Sequence, residues 1–141
     1  MKITILYGST TGTTETIAGI LQTNLSNHDV TVKNVNDANN DELKASDYIL
    51  LGSSTWGYGE LQDDFAEYIE TMNEDTYKGK SVAVFGAGDE AGFTDVFCEA
   101  VGIITTKLES LGANLLIDGL KIDGDANDHL DAILEFAAKV K

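Results

Sequence analysis

The sequence contains no arginine, no proline and a single cysteine, and its nine lysines face 24 acids. One cysteine, Cys98, excludes an internal disulfide and supplies no thiolate cluster for a metal. A helix that spans a bilayer needs roughly 18 or more consecutive apolar residues, and no apolar run here comes near that length. The strand-like run at the amino terminus, about six residues long, is too short for the apolar region of a signal peptide. These absences describe a reduced, cytoplasmic protein with no membrane segment. The shortage of cations, with a formal net charge of −15, argues against nucleic acid, because phosphate backbones are bound by clustered Lys and Arg. Such a charge serves solubility and also favours a basic protein partner drawn in by long-range attraction. No proline, internal repeat or low-complexity stretch marks a linker, and 141 residues make one domain, 1–141. An apolar content of 43% suits a packed core.

What is present is organised around residues 2–14. A β-rich apolar run, Lys2-Ile3-Thr4-Ile5-Leu6-Tyr7, stops at Gly8. Five hydroxyl residues follow within six positions, Ser9, Thr10, Thr11, Thr13 and Thr14, around Gly12. A helical pattern then opens, with Ile17, Ile20, Leu21 and Leu25 on one face. The loop therefore joins a buried strand to a helix N-terminus, where unpaired N–H groups and a partial positive charge favour an anion. One hydroxyl would cap the helix; five, with no Lys or Arg among them, predict a phosphate site built from amides, hydroxyls and dipole.

Further along, Thr31–Val35 reads as a partly polar edge strand, and 36–46 as an irregular crossover with at most one helical turn. Tyr48–Gly52 is a buried strand, followed by a second loop, Ser53–Glu60. Leu61, Phe65, Tyr68, Ile69 and Met72 mark a helix, and Asn73–Gly79 a loop. Val82–Phe85 is the fourth strand, followed by a third loop, Gly86–Thr94. Phe97 to Leu111 keep a helical period that Gly112 ends. Leu115-Leu116-Ile117 is the fifth strand, 118–125 an extended segment or turn, and Leu130, Ile133, Leu134, Ala137 and Val140 line a last helix. Both histidines, His28 and His129, are expected to be exposed.

Strands alternating with helices predict an α/β fold: a doubly wound, five-stranded parallel sheet, order 2-1-3-4-5, with helices on both faces. Ligands bind such sheets beyond the strands' carboxyl ends, between strands 1 and 3. The three unusual loops converge there. The second carries Trp56 between glycines, a flat face suited to stacking on a planar ring. The third carries Phe93 as a possible second face and Asp89 as an edge-binding group. A phosphate pocket beside an aromatic sandwich describes FMN better than a dinucleotide. Gly86-Ala87-Gly88-Asp89-Glu90-Ala91 fits a loose dinucleotide pattern, but Asp89 and Glu90 would sit where a pyrophosphate must approach.

Six segments in order carry a resemblance: Gly8–Thr14, Ser54–Gly57, Glu60–Phe65, Phe85–Asp89, Phe97–Val101 and Leu120–Asp125. The chain resembles a flavodoxin of the short-chain type over its whole length. The resemblance implies a low-potential electron carrier, with no substrate of its own, that holds FMN tightly but non-covalently and moves it between quinone, semiquinone and hydroquinone states. By position, Ser9, Thr10, Thr11, Thr13, Thr14 and Ser54 would bind the phosphate, with Gly12 in the same loop. Thr55, Trp56, Gly57, Asp89 and the Cys98 backbone would touch the ring; Tyr58, Ala87, Gly88 and Phe93 complete the set. Two departures stand out. The Gly57-Tyr58-Gly59 loop is shorter than in close relatives, and the third loop lacks the family's stacking Tyr, so that the outer face is covered by Phe93, by Tyr58 or by neither.

A Gly57–Tyr58 peptide that turns its carbonyl toward the flavin N5 would stabilise the one-electron state, since glycine tolerates positive φ. Acids such as Asp63, Asp64 and Asp89 would disfavour the charge added by the second electron. The acidic face of Glu60, Asp63, Asp64 and Glu67 would dock basic reductases and oxidases, with the carrier itself a monomer. An FMN-dependent quinone or nitro reductase is the rival reading. A receiver domain would need acids where Gly8-Ser9 and Gly52-Ser53 stand.

Overall fold

Short β-branched and leucine-rich runs separated by amphipathic stretches form a parallel sheet covered on both faces. The computed structural model describes residues 1–8, 13–56, 60–61, 63–88, 99–123 and 126–140. The strands are β1 (Lys2–Gly8), β2 (Asp29–Asn34), β3 (Tyr48–Trp56), β4 (Glu60–Leu61), β5 (Ser81–Gly88), β6 (Asn114–Leu115) and β7 (Leu120–Asp123). The helices are α1 (Thr13–Asn24), α2 (Asn40–Ala45), α3 (Asp63–Thr71), α4 (Glu74–Tyr77), α5 (Glu99–Ser110) and α6 (Leu130–Lys139). The sheet order is β2-β1-β3-β5-β6, which is the expected 2-1-3-4-5 once the small β4 is set aside. The half-buried β2 lies at an edge, as its polar residues suggest.

Side chains that alternate along each strand divide the core in two. Ile3, Ile5, Tyr48, Leu50, Ala83 and Phe85 pack with Ile17, Leu21, Ile133 and Phe136, under α1 and α6. Leu6, Ile49, Leu51, Val82 and Val84 pack with Phe65, Val101, Ile104 and Leu108, under α3 and α5. At the amino ends of the strands several polar groups are paired, although among the described residues the buried Tyr48 hydroxyl at the start of β3 is not. Thr4 and Ser46 hydroxyls lie 2.6 Å apart, and Lys80 donates to the carbonyls of Ser46 and Lys44. Gly112 stops α5 as expected: at φ +78° it donates to the Glu109 carbonyl while Ala113 donates to that of Leu108.

Several boundaries differ from the sequence reading. β3 runs on through Ser53–Trp56, placed in a loop by sequence, because Thr55 and Trp56 pair antiparallel with Leu61 and Glu60 of β4. β5 continues through Gly86, Ala87 and Gly88, held between β3 and β7. The stretch Asn73–Gly79 contains α4, capped by the Asn73 side chain. The fifth strand is broken rather than continuous. From Leu115 to Leu120 the chain advances five positions while β5 advances only three, from Val82 to Phe85, so two extra residues are accommodated. Leu116 is 58% exposed at the break, and the run Leu115–Ile117 is not one strand. A groove of about 430 Å³ opens there, lined in part by Thr105, Leu116 and Lys139. Leu130 and Leu134 are 43% and 42% exposed, and Phe136 replaces them on the buried face of α6. His28 and His129 are half-buried rather than exposed.

Candidate functional site

The parallel strands bring their carboxyl ends to one rim, and the register shows how side chains taper toward it. Leu6, Leu51 and Val84 lie side by side in the sheet. One residue further the row is Tyr7, Gly52, Phe85 and Leu120, and the next is Gly8, Ser53, Gly86 and Lys121. Beyond these, Ser54, Ala87 and Ile122 align. Gly8, Ser53, Gly86 and Ala87 are all buried, so the small residues form a lined rim rather than an exposed edge. Three glycine or serine positions in one row remove the bulk that fills the rows below. This happens between β1 and β3, where the sheet order reverses.

α1 starts beside this rim. Thr13 opens its first turn half-buried, and Thr14 is fully buried. The first N–H groups of a helix lack intrahelical partners and carry positive partial charge. No cation lies between Lys2 and Lys33, so an anion here meets hydroxyls and amides. Glu15, exposed in the first turn, is engaged by the Tyr7 hydroxyl. Burial, followed by the charge of the Glu15 carboxylate, raises the Tyr7 phenol above its ordinary pKa and keeps it a hydrogen-bond donor. Neutral donors at a helix start, beside a rim of small side chains, fit a phosphate group.

The sequence-predicted residues divide clearly. Thr13, Thr14 and Ala87 lie at the rim, and the backbone of Ser54, Thr55 and Trp56 continues β3 past it, as that of Gly88 continues β5. Ser9, Thr10, Thr11, Gly12, Gly57, Tyr58, Asp89, Phe93 and Cys98 lie outside the described residues. The structure adds residues that the sequence reading assigned no role. Ser53 is fully buried in register with Gly8 and Gly86. Tyr7 holds Glu15, and Lys121 stands exposed beside Gly86. No sequence periodicity marks them, because each owes its place to strand register.

α3 follows the β3–β4 pair closely and presents acid beside the rim. Phe65 and Ile69 are buried, Asp64 is half-buried, and Glu67 and Glu70 are exposed. The last turn of α3 has no basic residue.

Residues 5–136 match the family model described as Flavodoxin. A flavodoxin of Maridesulfovibrio salexigens is 46% identical over 129 residues, covering 88% of this chain and 87% of the relative. Further curated flavodoxins, 38–39% identical, are longer, and the match covers 65–66% of their length. Among solved structures, oxidised flavodoxin 2 of Bacillus cereus is 38% identical, with a TM-score of 0.85 over 99% of this chain and 97% of that one. A Fusobacterium nucleatum flavodoxin solved with flavin mononucleotide shares the fold at 20% identity, with a TM-score of 0.85 over 99% of this chain and 96% of that one.

Proposed function

The chain belongs to the flavodoxin family, and from that premise we propose that its rim holds FMN and that the protein carries electrons on it without converting a substrate. FMN, when bound, supplies the redox centre and accepts one electron or two. Everything else falls to the chain's own residues. Thr13, Thr14 and the first-turn amides of α1 hold the phosphate, joined by Ser9, Thr10, Thr11, Gly12 and Ser54. Trp56 stacks on the ring, with Thr55, Gly57, Ala87, Gly88, Asp89 and the Cys98 backbone at its edge. Phe93 or Tyr58 covers the outer face. The Gly57–Tyr58 carbonyl would offer the ring edge a hydrogen-bond acceptor, and neighbouring acids would oppose added negative charge there.

The observation that carries this reading is the row Gly8, Ser53 and Gly86 beside the helix start at Thr13 and the buried Thr14. Partners are redox proteins, and we assign them a basic face that docks transiently on the acids of Glu60, Asp63, Asp64 and Glu67. Among the described residues no helix is long and apolar enough to cross a membrane, and we place the protein, as a monomer, in the cytoplasm.

An absorption spectrum of the purified chain, with FMN titration and stepwise reduction, tests the reading. A yellow protein with two separated one-electron steps is expected, and NAD(P)H alone should not bleach it. A chain that stays colourless after mixing with FMN would overturn the proposal, and rapid bleaching by NAD(P)H would make it a reductase. Gly57→Ala should shift the first one-electron potential; an unchanged redox titration would remove Gly57 from the mechanism.

A further inference from the structure

Val101 stands in the first turn of α5, the helix that follows the segment bearing Asp89, Phe93 and Cys98. It is buried, and its two methyl groups point at two glycines far apart in the sequence. A Cβ added at Gly86 would lie 2.7 Å from Val101 Cγ2 and 2.9 Å from the Ser53 carbonyl oxygen. A Cβ added at Gly119, in the connection between β6 and β7, would lie 2.5 Å from Val101 Cγ1. Backbone freedom does not explain either glycine. Among the described residues the left-handed glycines are Gly79 and Gly112. Gly86 and Gly119 are there for the space they leave.

We propose that Val101 is a positioning residue for the cofactor: locked between Gly86 and Gly119, it sets the depth at which the start of α5 seats on the sheet. α5 also packs against β3, β4 and β5, so its seat bears on the β3–β4 pair that carries the Trp56 backbone. Valine has a stiff χ1 and cannot swing clear of an added methyl, and a close-packed interior passes such a displacement on to the helix. The break in the last strand thus acquires a role. Its two extra residues bring Gly119 against Val101, on the face of the sheet that α5 covers.

The inference rests on FMN binding, and the test separates the two. Gly119→Ala pushes Val101 and the α5 start outward. It should weaken FMN by about tenfold in dissociation constant, on the order of 1.4 kcal/mol, and shift the one-electron potentials. Gly119→Ala combined with Val101→Ala removes the obstructing methyls. The nearest remaining atoms are then the Val84 oxygen at 3.5 Å and Val101 Cβ at 4.0 Å, ordinary contacts. This double variant should recover both affinity and potentials toward those of the starting protein. Leu108→Ala, two turns further along the same buried face, should lower the unfolding temperature while leaving FMN affinity within about twofold. If Gly119→Ala does not fold, Val101→Ala against Leu108→Ala decides: greater loss of FMN affinity in the former supports the proposal, and equal loss overturns it. Unmoved affinity and potentials in a folded Gly119→Ala protein, or no recovery in the double variant, also overturn it. A starting protein that binds no FMN removes the premise, and the inference with it.

Discussion

Gly52 and Phe85 show how single side chains shape the rim. They face one another across β3 and β5, and a Cβ at Gly52 would come 2.1 Å from the Phe85 ring. Gly52→Ala should therefore overpack the core beneath α1 and cost about 1–3 kcal/mol, measured by denaturant unfolding. Phe85→Leu in the same chain should recover part of that loss. Tyr77 makes a different case. It is fully buried, and its hydroxyl lies 2.6 Å from that of the half-buried Tyr68. Burial, then the neighbouring Tyr68, raises its pKa well above the ordinary 10.0. Below pH 10 both folded and unfolded chains keep the phenol neutral and this contribution to stability is intact. Above it the unfolded chain ionises first, so stability falls as pH rises. Tyr77→Phe should flatten that alkaline loss in urea melts between about pH 8 and pH 11. Near neutrality it should cost about 1 kcal/mol by leaving Tyr68 without its partner.

Among the elements, α6 tests how a helical face is chosen. Sequence periodicity assigns Leu130, Ile133, Leu134, Ala137 and Val140 to the core; the structure buries Ile133, Ala137 and Val140, exposes Leu130 and Leu134, and adds Phe136. Phe136→Ala should cost about 3–5 kcal/mol. Leu134→Lys should stay within about 0.5 kcal/mol, as surface changes do. Thermal unfolding of the two variants compares the faces, and equal losses would return Leu134 to the core. Periodicity named the helix and the centre of its buried face correctly but drew that face too wide on the Leu130 and Leu134 side and missed Phe136. Ile133, Leu134, Phe136 and Ala137 all lie close together in the sequence, and only the sheet beneath α6 selects among them. β3 and β5 are longer than their apolar runs for a related reason. Ser53, Ser54 and Gly86–Gly88 have little strand preference of their own and are held by the neighbouring strands they pair with, while Thr55 and Trp56 are held by β4.

Across the whole molecule the lysines are distributed unevenly. Lys2, Lys78 and Lys80 lie at the amino ends of strands, Lys44 and Lys107 in the last turns of helices that run back to that end. Lys44 pairs with Asp75, and Lys33 with Glu42. Glu67 and Glu70 of α3 are exposed, and Lys121 is exposed beside Gly86. The basic partner proposed above would meet the acids of α3. Its electron-transfer rate with this protein should fall as salt rises from about 10 mM to 1 M, a range over which the screening length drops from about 30 Å to 3 Å. Stopped-flow rates independent of salt would remove the electrostatic docking face.

The alternation of apolar runs and amphipathic stretches was enough for the two covered faces, because these depend on local periodicity, and right-handed crossovers between such units were enough for the sheet order. The helix stop at Gly112 was likewise legible from local periodicity. Residues placed by register were not: Ser53 under the rim, Lys121 beside Gly86, and Val101 between two glycines distant in sequence. Their positions follow from which strands lie side by side and how deeply a helix seats on them, and those distances arise only when the chain is packed.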